Sequence, residues 1–148
     1  MSVIVKSAGN RMSAMAGCLA ILVYGGTLDA GERAWTQDRV SSAINYKNVP
    51  VVVRYTPNAS VSRAPTARIT RVQATRAYKG NDRIQTLLCW NGTSRCVHLT
   101  GASVSTHEFD GLDAGKPIYL VHTTLSDKPG PMSSPIFVKG SVVVWYGP

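Results

Sequence analysis

Arg83-Ile84-Gln85-Thr86-Leu87-Leu88-Cys89-Trp90, then Asn91-Gly92-Thr93-Ser94, then Arg95-Cys96-Val97-His98-Leu99 reads as a β-hairpin. Two runs of apolar and β-branched residues flank a cluster of turn formers, which is the local signature of paired antiparallel strands. With Gly92 and Thr93 at the centre of the turn, Cys89 falls directly across from Cys96. Opposed residues of a non-hydrogen-bonded antiparallel pair have Cα atoms about 4.5 Å apart, a separation that a disulfide can span.

The same punctuation continues on both sides. Ala43-Ile44-Asn45-Tyr46 and Val49 to Tyr55 are β-branched and aromatic, interrupted by Pro50 and ended by Pro57-Asn58. Ala67 to Tyr78 is rich in Thr and Val, and Lys79-Gly80-Asn81-Asp82 supplies the next turn. Its apolar spacing changes parity between Ile69 and Val72, as one extra residue in a strand requires. Ile118 to Leu125 is a further strand, Ser126 to Pro135 reads as a loop, and Phe137-Val138 with Ser141 to Tyr146 close the chain. Short strands with Gly and Pro between them, and no 3.6-residue period, predict an all-β fold, a single antiparallel sandwich or barrel-like domain. The prolines belong at edges or turns of such a fold.

The N-terminal end has a different character. Met1 to Arg11 carries Lys6 and Arg11 and no acid, and Met12 to Tyr24 is an apolar run of about 13 residues without charge. Gly25-Gly26-Thr27-Leu28-Asp29-Ala30 and a polar segment follow. A basic start, a short apolar core and small residues near a cut site make a secretory signal peptide. The run is too short for the roughly 20 residues of a membrane span, so stable membrane insertion is not expected. Met15-Ala16-Gly17-Cys18 resembles a lipoprotein box, but Leu19 to Val23 follows the cysteine, which places Cys18 inside the apolar core. The expected organisation is a signal peptide over residues 1–30 and one exported domain over 31–148, which leaves about 118 of the 148 residues. That length suits one modest core. Losing Cys18 also leaves an even pair, Cys89 and Cys96, in an oxidising compartment, where a disulfide is expected.

Charge is the remaining signal. Taking Lys6, Arg11 and Asp29 from the 16 basic and 8 acidic residues leaves 14 and 7 in the exported part. Residues 31–95 hold 11 basic and 3 acidic side chains, against 3 and 4 in 96–148. Arg68, Arg71 and Arg76 lie in the Thr- and Val-rich strand as candidate binding residues. Strict alternation separates Arg71 from the other two, and the extra residue near Ile69 offers a way to reunite them. Such a balance first suggests nucleic acid. No stacking motif or helix-turn-helix pattern is present, however, and export removes that partner. A simply solvated face, an acidic envelope polymer, a phospholipid headgroup or an acidic protein remain.

No catalytic pattern stands out. His98, His107 and His122 are the only histidines, and none sits in a spaced metal motif. No nucleophile elbow or phosphate loop occurs, so neither a metal nor a cofactor is expected. His98 and His122 alternate with apolar neighbours and are read as facing solvent. His107 beside Glu108, with Ser103 and Ser105 near, is the best available hydrolytic grouping and a poor one. Asn58-Ala59-Ser60 and Asn91-Gly92-Thr93 match glycosylation sequons.

A family resemblance runs along most of the exported part. Gly31-Glu32-Arg33-Ala34-Trp35, then Leu88-Cys89, Arg95-Cys96-Val97-x-Leu99-x-Gly101, Thr106-His107-x-Phe109 and the closing Val142 to Tyr146 are similar, in this order, to the FlhE family of small periplasmic flagellar proteins. Two departures are visible. Six residues separate the cysteines, more than in the better-known members, and an expected Trp-Arg-Tyr motif stands here as Thr75-Arg76-Ala77-Tyr78. The resemblance implies a periplasmic, non-enzymatic accessory protein that guards against premature growth of the flagellar rod or proton leakage through the export apparatus. A rod or export-apparatus protein is then the expected partner, and a homodimer is compatible with it. Trp35 and Tyr55 are candidate contact anchors, since aromatics dominate interface hot spots, with core packing the alternative for both. A carbohydrate-binding sandwich is the rival from another class, and a secreted hydrolase or hydrolase inhibitor ranks behind it.

Overall fold

The computed structural model describes residues 31–148. The expected signal peptide over Met1 to Ala30, with Cys18, lies outside the described residues. Strands β1 (Arg33–Val40), β2 (Ile44–Lys47) and β3 (Val51–Tyr55) lead to a single turn of helix, α1 (Ala59–Ser62). Then come β4 (Arg68–Ala77), β5 (Ile84–Trp90), β6 (Cys96–Leu99), β7 (Ser103–Thr106), β8 (Ile118–Thr124), β9 (Gly130–Ile136) and β10 (Lys139–Gly147).

Every strand pair is antiparallel. One four-stranded sheet has the order β1-β10-β4-β7, a second β3-β8-β5-β6, and β2 with β9 forms a two-stranded ribbon. Both large sheets keep open edges, so the fold is a sandwich rather than a closed barrel. Inward side chains of the first sheet (Trp35, Val72, Ala74, Val142, Val144) meet those of the second (Val53, Tyr55, Leu88, Ile118, Leu120) in one core. Each fully buried Val or Leu contributes about 1.5–3 kcal/mol of transfer free energy. A smaller cluster of Ile44, Ile84, Ile136 and Val138 fills the end beneath the ribbon.

The parity change in β4 is real. Trp145 of β10 pairs with Arg71 and Tyr146 with Ile69, so Thr70 is the extra residue of a bulge. Ile69 and Val72 both point inward as a result, 2% and 0% exposed.

Four elements escape the sequence reading. The stretch read as a loop from Ser126 to Pro135 contains β9, which pairs with β2 alone. A ribbon edge is where Pro131 and Pro135, lacking N–H groups, do no harm. In β1, Trp35 is the one fully buried side chain, so no alternation betrays an eight-residue strand. The four-residue β7 is too short to show a period. α1 is one turn, started by Asn58, whose Oδ1 accepts the Val61 N–H at 3.1 Å. That use of Asn58 is an N-cap, the ordinary role of Asn at such a position.

The cysteine hairpin matches its reading. Cys89 pairs with Cys96, their Cα atoms are 4.1 Å apart, and the two sulfurs are bonded. The Trp90 N–H donates to the Arg95 carbonyl at 3.0 Å, so the cysteines occupy the adjacent, non-hydrogen-bonded pair. Replacing both by alanine should lower stability by about 2–3 kcal/mol, the loop-entropy contribution of so short a ring. Urea unfolding of the double variant checks this, and an unchanged midpoint would show that the bond does not stabilise the fold.

Candidate functional site

The residues singled out from sequence fall into three places. Trp35 and Tyr55 are in the core, 4% and 0% exposed. The Trp35 Nε1–H donates to the Ala114 carbonyl at 3.1 Å, which ties β1 to the loop before β8. Tyr55 spends its ring on packing, and its hydroxyl has no hydrogen-bond partner among the described residues. Burial pushes the Tyr55 hydroxyl up to about 12, with Arg39 opposing and Asp38 adding to the shift. Neither aromatic can reach a partner from there.

The three arginines are split. The bulge at Thr70 brings Arg68 and Arg71 to the outer face of the first sheet, while Arg76 keeps the inward parity of Val72 and Ala74. Arg71 lies over the Trp145 ring, its guanidinium carbon 3.9 Å from the centroid. A cation so placed is attracted by the ring's quadrupole. Arg76 turns its guanidinium into the gap between the sheets. Its Nε donates to the Gly101 carbonyl at 2.9 Å, and a terminal nitrogen donates to the Ile84 carbonyl and to Thr86 Oγ1. Reversing all three charges at once would therefore mix a surface change with an interior one.

Arg76 heads a polar layer that sequence reading missed. Thr86 Oγ1 lies 2.8 Å from Nδ1 of His122, and both residues are buried. Since Arg76 already donates to that oxygen, the Thr86 hydroxyl hydrogen is free to donate to Nδ1, which leaves the ring proton on Nε2. Nε2 has no partner among the described residues, nor does Thr124 Oγ1 two residues on. Burial, with the Arg76 charge second, pushes His122 down to about 4, so the ring is neutral. The expectation that His122 faces solvent is thereby corrected. β8 is a central strand covered on both faces, with Val121 at 8% and His122 at 0% exposed, so apolar neighbours do not tell which face is wet. The parity of Ile118, Leu120, His122 and Thr124 was the available signal. His98, by contrast, is exposed as expected.

His107 braces the bulge. Its Nδ1 is 2.8 Å from the Thr70 carbonyl and 3.0 Å from Asp110 Oδ2, two acceptors that share one N–H. The turn so held seats Phe109 in the core, 1% exposed. No group of three or more His, Cys, Asp or Glu side chains is gathered for a metal among the described residues.

At the end of the sandwich where β1, β4 and β10 meet, a hollow of about 520 Å³ lies between Val40 and Phe137. It shares Val40, Ala77 and Lys139 with a second hollow of about 630 Å³ that extends over Thr75, Ser103 and Ser141. The two hollows are lined by apolar and cationic groups and by one carboxylate, Asp38.

Together these features define a small antiparallel sandwich stapled by one hairpin disulfide, with its aromatic landmarks inside and a recessed, basic end. The chain is similar in structure to the crystal structure of FlhE: TM-score 0.64, 27% identity, over 79% of this chain and 98% of that one. That similarity supports its place as a divergent member of the FlhE family. The crystal structure of tomato aspermy virus shares the fold alone, with a TM-score of 0.51 and 12% identity over 79% of this chain and 78% of that one. No protein-family model and no curated protein sequence matches the chain significantly.

Proposed function

We propose that the protein is a non-enzymatic accessory factor of flagellar assembly that works in the periplasm by contact, restraining premature rod growth or proton leakage through the export apparatus. The observation that carries this reading is the structural similarity to FlhE over nearly the whole of that chain. Trp35, the bonded Cys89–Cys96 pair and the terminal strand β10 are parts of one scaffold rather than scattered coincidences. The disulfide also suits an oxidising compartment.

The carbohydrate-binding alternative has less support. Sugar stacking favours an open tryptophan face, whereas the Nε1–H groups of Trp35 and Trp90 are bonded to carbonyls of the 113–114 loop and the Trp145 ring is covered by Arg71, which leaves Tyr46 and Phe137 as the exposed aromatic rings.

A deletion strain complemented with the wild-type gene tests the proposal. Loss of orderly filament placement, with filaments or rods found in the periplasm, and reduced motility are expected in the deletion and restored by complementation. Normal motility and placement without the gene would remove the flagellar reading.

A further inference from the structure

We propose that the recessed end formed by β1, β4 and β10 docks an extended, acidic protein segment that inserts a large apolar side chain between Val40 and Phe137. The inference rests on the reading that this protein works by contact, and it gives that contact a place and a chemistry.

Val40 and Phe137 are 55% and 54% exposed, although each is large and apolar. Distant in sequence, they are brought to one end of the fold: Val40 closes β1 opposite Lys139, and Phe137 lies in the step between β9 and β10. The hollow between them is floored by Ala77, Tyr78 and Ile136. An apolar recess with a polar rim, left open to water, marks an interaction site.

The rim selects charge. Arg39, Lys79 and Lys139 are exposed, and Asp38 is the one carboxylate among the residues lining the two hollows. Among the described residues the sole base–acid side-chain pair within 4 Å is His107 with Asp110, so none of these cations is already neutralised by a neighbouring carboxylate. An acidic partner meets complementary potential there, which speeds encounter and fixes orientation.

The edge selects an extended backbone. β1 is the outer strand of its sheet, and it holds an unbroken eight-residue register with β10 from Arg33 to Val40. With no bulge and no proline to blunt it, its free side can accept an added strand beyond Gln37, whose Oε1 accepts the Thr56 N–H at 2.7 Å. A segment running along β1 reaches Val40 and the hollow beyond it. Only a polypeptide supplies all three features: main-chain hydrogen bonds, carboxylates and an apolar side chain. A second copy of this chain fits poorly, because it would set the same cationic rim against itself.

The test is photo-crosslinking of the full-length exported chain in the cells that make it, with p-benzoylphenylalanine at Phe137, and at Val52 on the opposite sheet as control. The expected result is an adduct at Phe137, at least fivefold above Val52, to a protein segment of net negative charge. K79E/K139E, checked for an unchanged unfolding midpoint, should lower its yield at least fivefold. No excess at Phe137, an adduct to a second copy, a lipid, a glycan or a non-acidic segment, or a yield indifferent to folded K79E/K139E would overturn the proposal. Should that double variant fail to fold, the identity of the Phe137 adduct still decides. An acidic partner with no flagellar role would keep the docking site and remove the flagellar reading. A deletion with flagellar defects but no adduct would do the reverse.

Discussion

Gly140→Ala should destabilise the protein by about 3 kcal/mol, at the upper end of what overpacking a core costs. Propensity alone predicts the opposite sign, because glycine inside a strand is worse than alanine by about 0.5–1 kcal/mol. Gly140 sits in β10 between Arg39 of β1 and Arg76 of β4, with its α-hydrogen turned toward the core. A Cβ there would collide with the Tyr55 hydroxyl and stand 2.9 Å from Leu120 Cδ1. Both side chains are fully buried, so neither can swing away into solvent. Tyr55→Phe removes the colliding oxygen, and with it a buried hydroxyl that has no partner. The phenylalanine variant alone should be as stable as the wild type or slightly more so, since a buried unsatisfied group costs about 1–3 kcal/mol. Combined with Gly140→Ala it should recover part of the loss, leaving the Leu120 contact unrelieved. A double-mutant cycle by urea unfolding reads the coupling directly. Wild-type stability for Gly140→Ala would show that the sheets have room the packing denies.

The glycine illustrates where sequence reading stops. Strands with inward β-branched or apolar residues were legible, and so was the bulge in β4, because the parity shift from Ile69 to Val72 is a local fact. The disulfide was legible for the same reason: hairpin register depends on a dozen neighbouring residues. What could not be read depends on the other sheet. Trp35 and Tyr55 stand out by residue type, but whether an aromatic anchors a partner or a core is decided by strands distant in the chain. The arginines of β4 had to be separated by face, and Arg76 declares itself only once Thr86 and Ile84 stand opposite. β9 was masked by its prolines, and β1 by having one fully buried side chain. The recessed end joins residues from β1, β4, β10 and the step after β9, so no single segment of sequence contains it.

His122→Leu should flatten the loss of stability between pH 6.5 and about 4. The sign follows from linkage. In the fold His122 is pushed down to about 4, whereas an unfolded histidine keeps its ordinary value of about 6.5. Between those values the unfolded chain binds a proton that the folded chain refuses, so stability rises with pH across the window and is lost as pH falls through it. For a fully buried ring the full shift corresponds to about 3 kcal/mol. The physical cause is the place of the ring: out of water, with its Nδ1 held by Thr86 and the Arg76 guanidinium on the far side of that hydroxyl. Carboxylates titrate over part of the same range, but they are common to both proteins, so the difference between wild type and variant isolates the histidine. At pH 7 leucine fills a similar volume and removes the unpartnered Nε2, while Thr86 keeps its bond from Arg76. The two proteins should then be within about 1 kcal/mol of each other at neutral pH, about the net worth of one hydrogen bond. Thermal or urea unfolding at pH 4.5, 5.5 and 6.5 provides the comparison. Parallel curves for the two proteins would mean that His122 takes up its proton in the folded state at no cost, and that the polar layer is open to water.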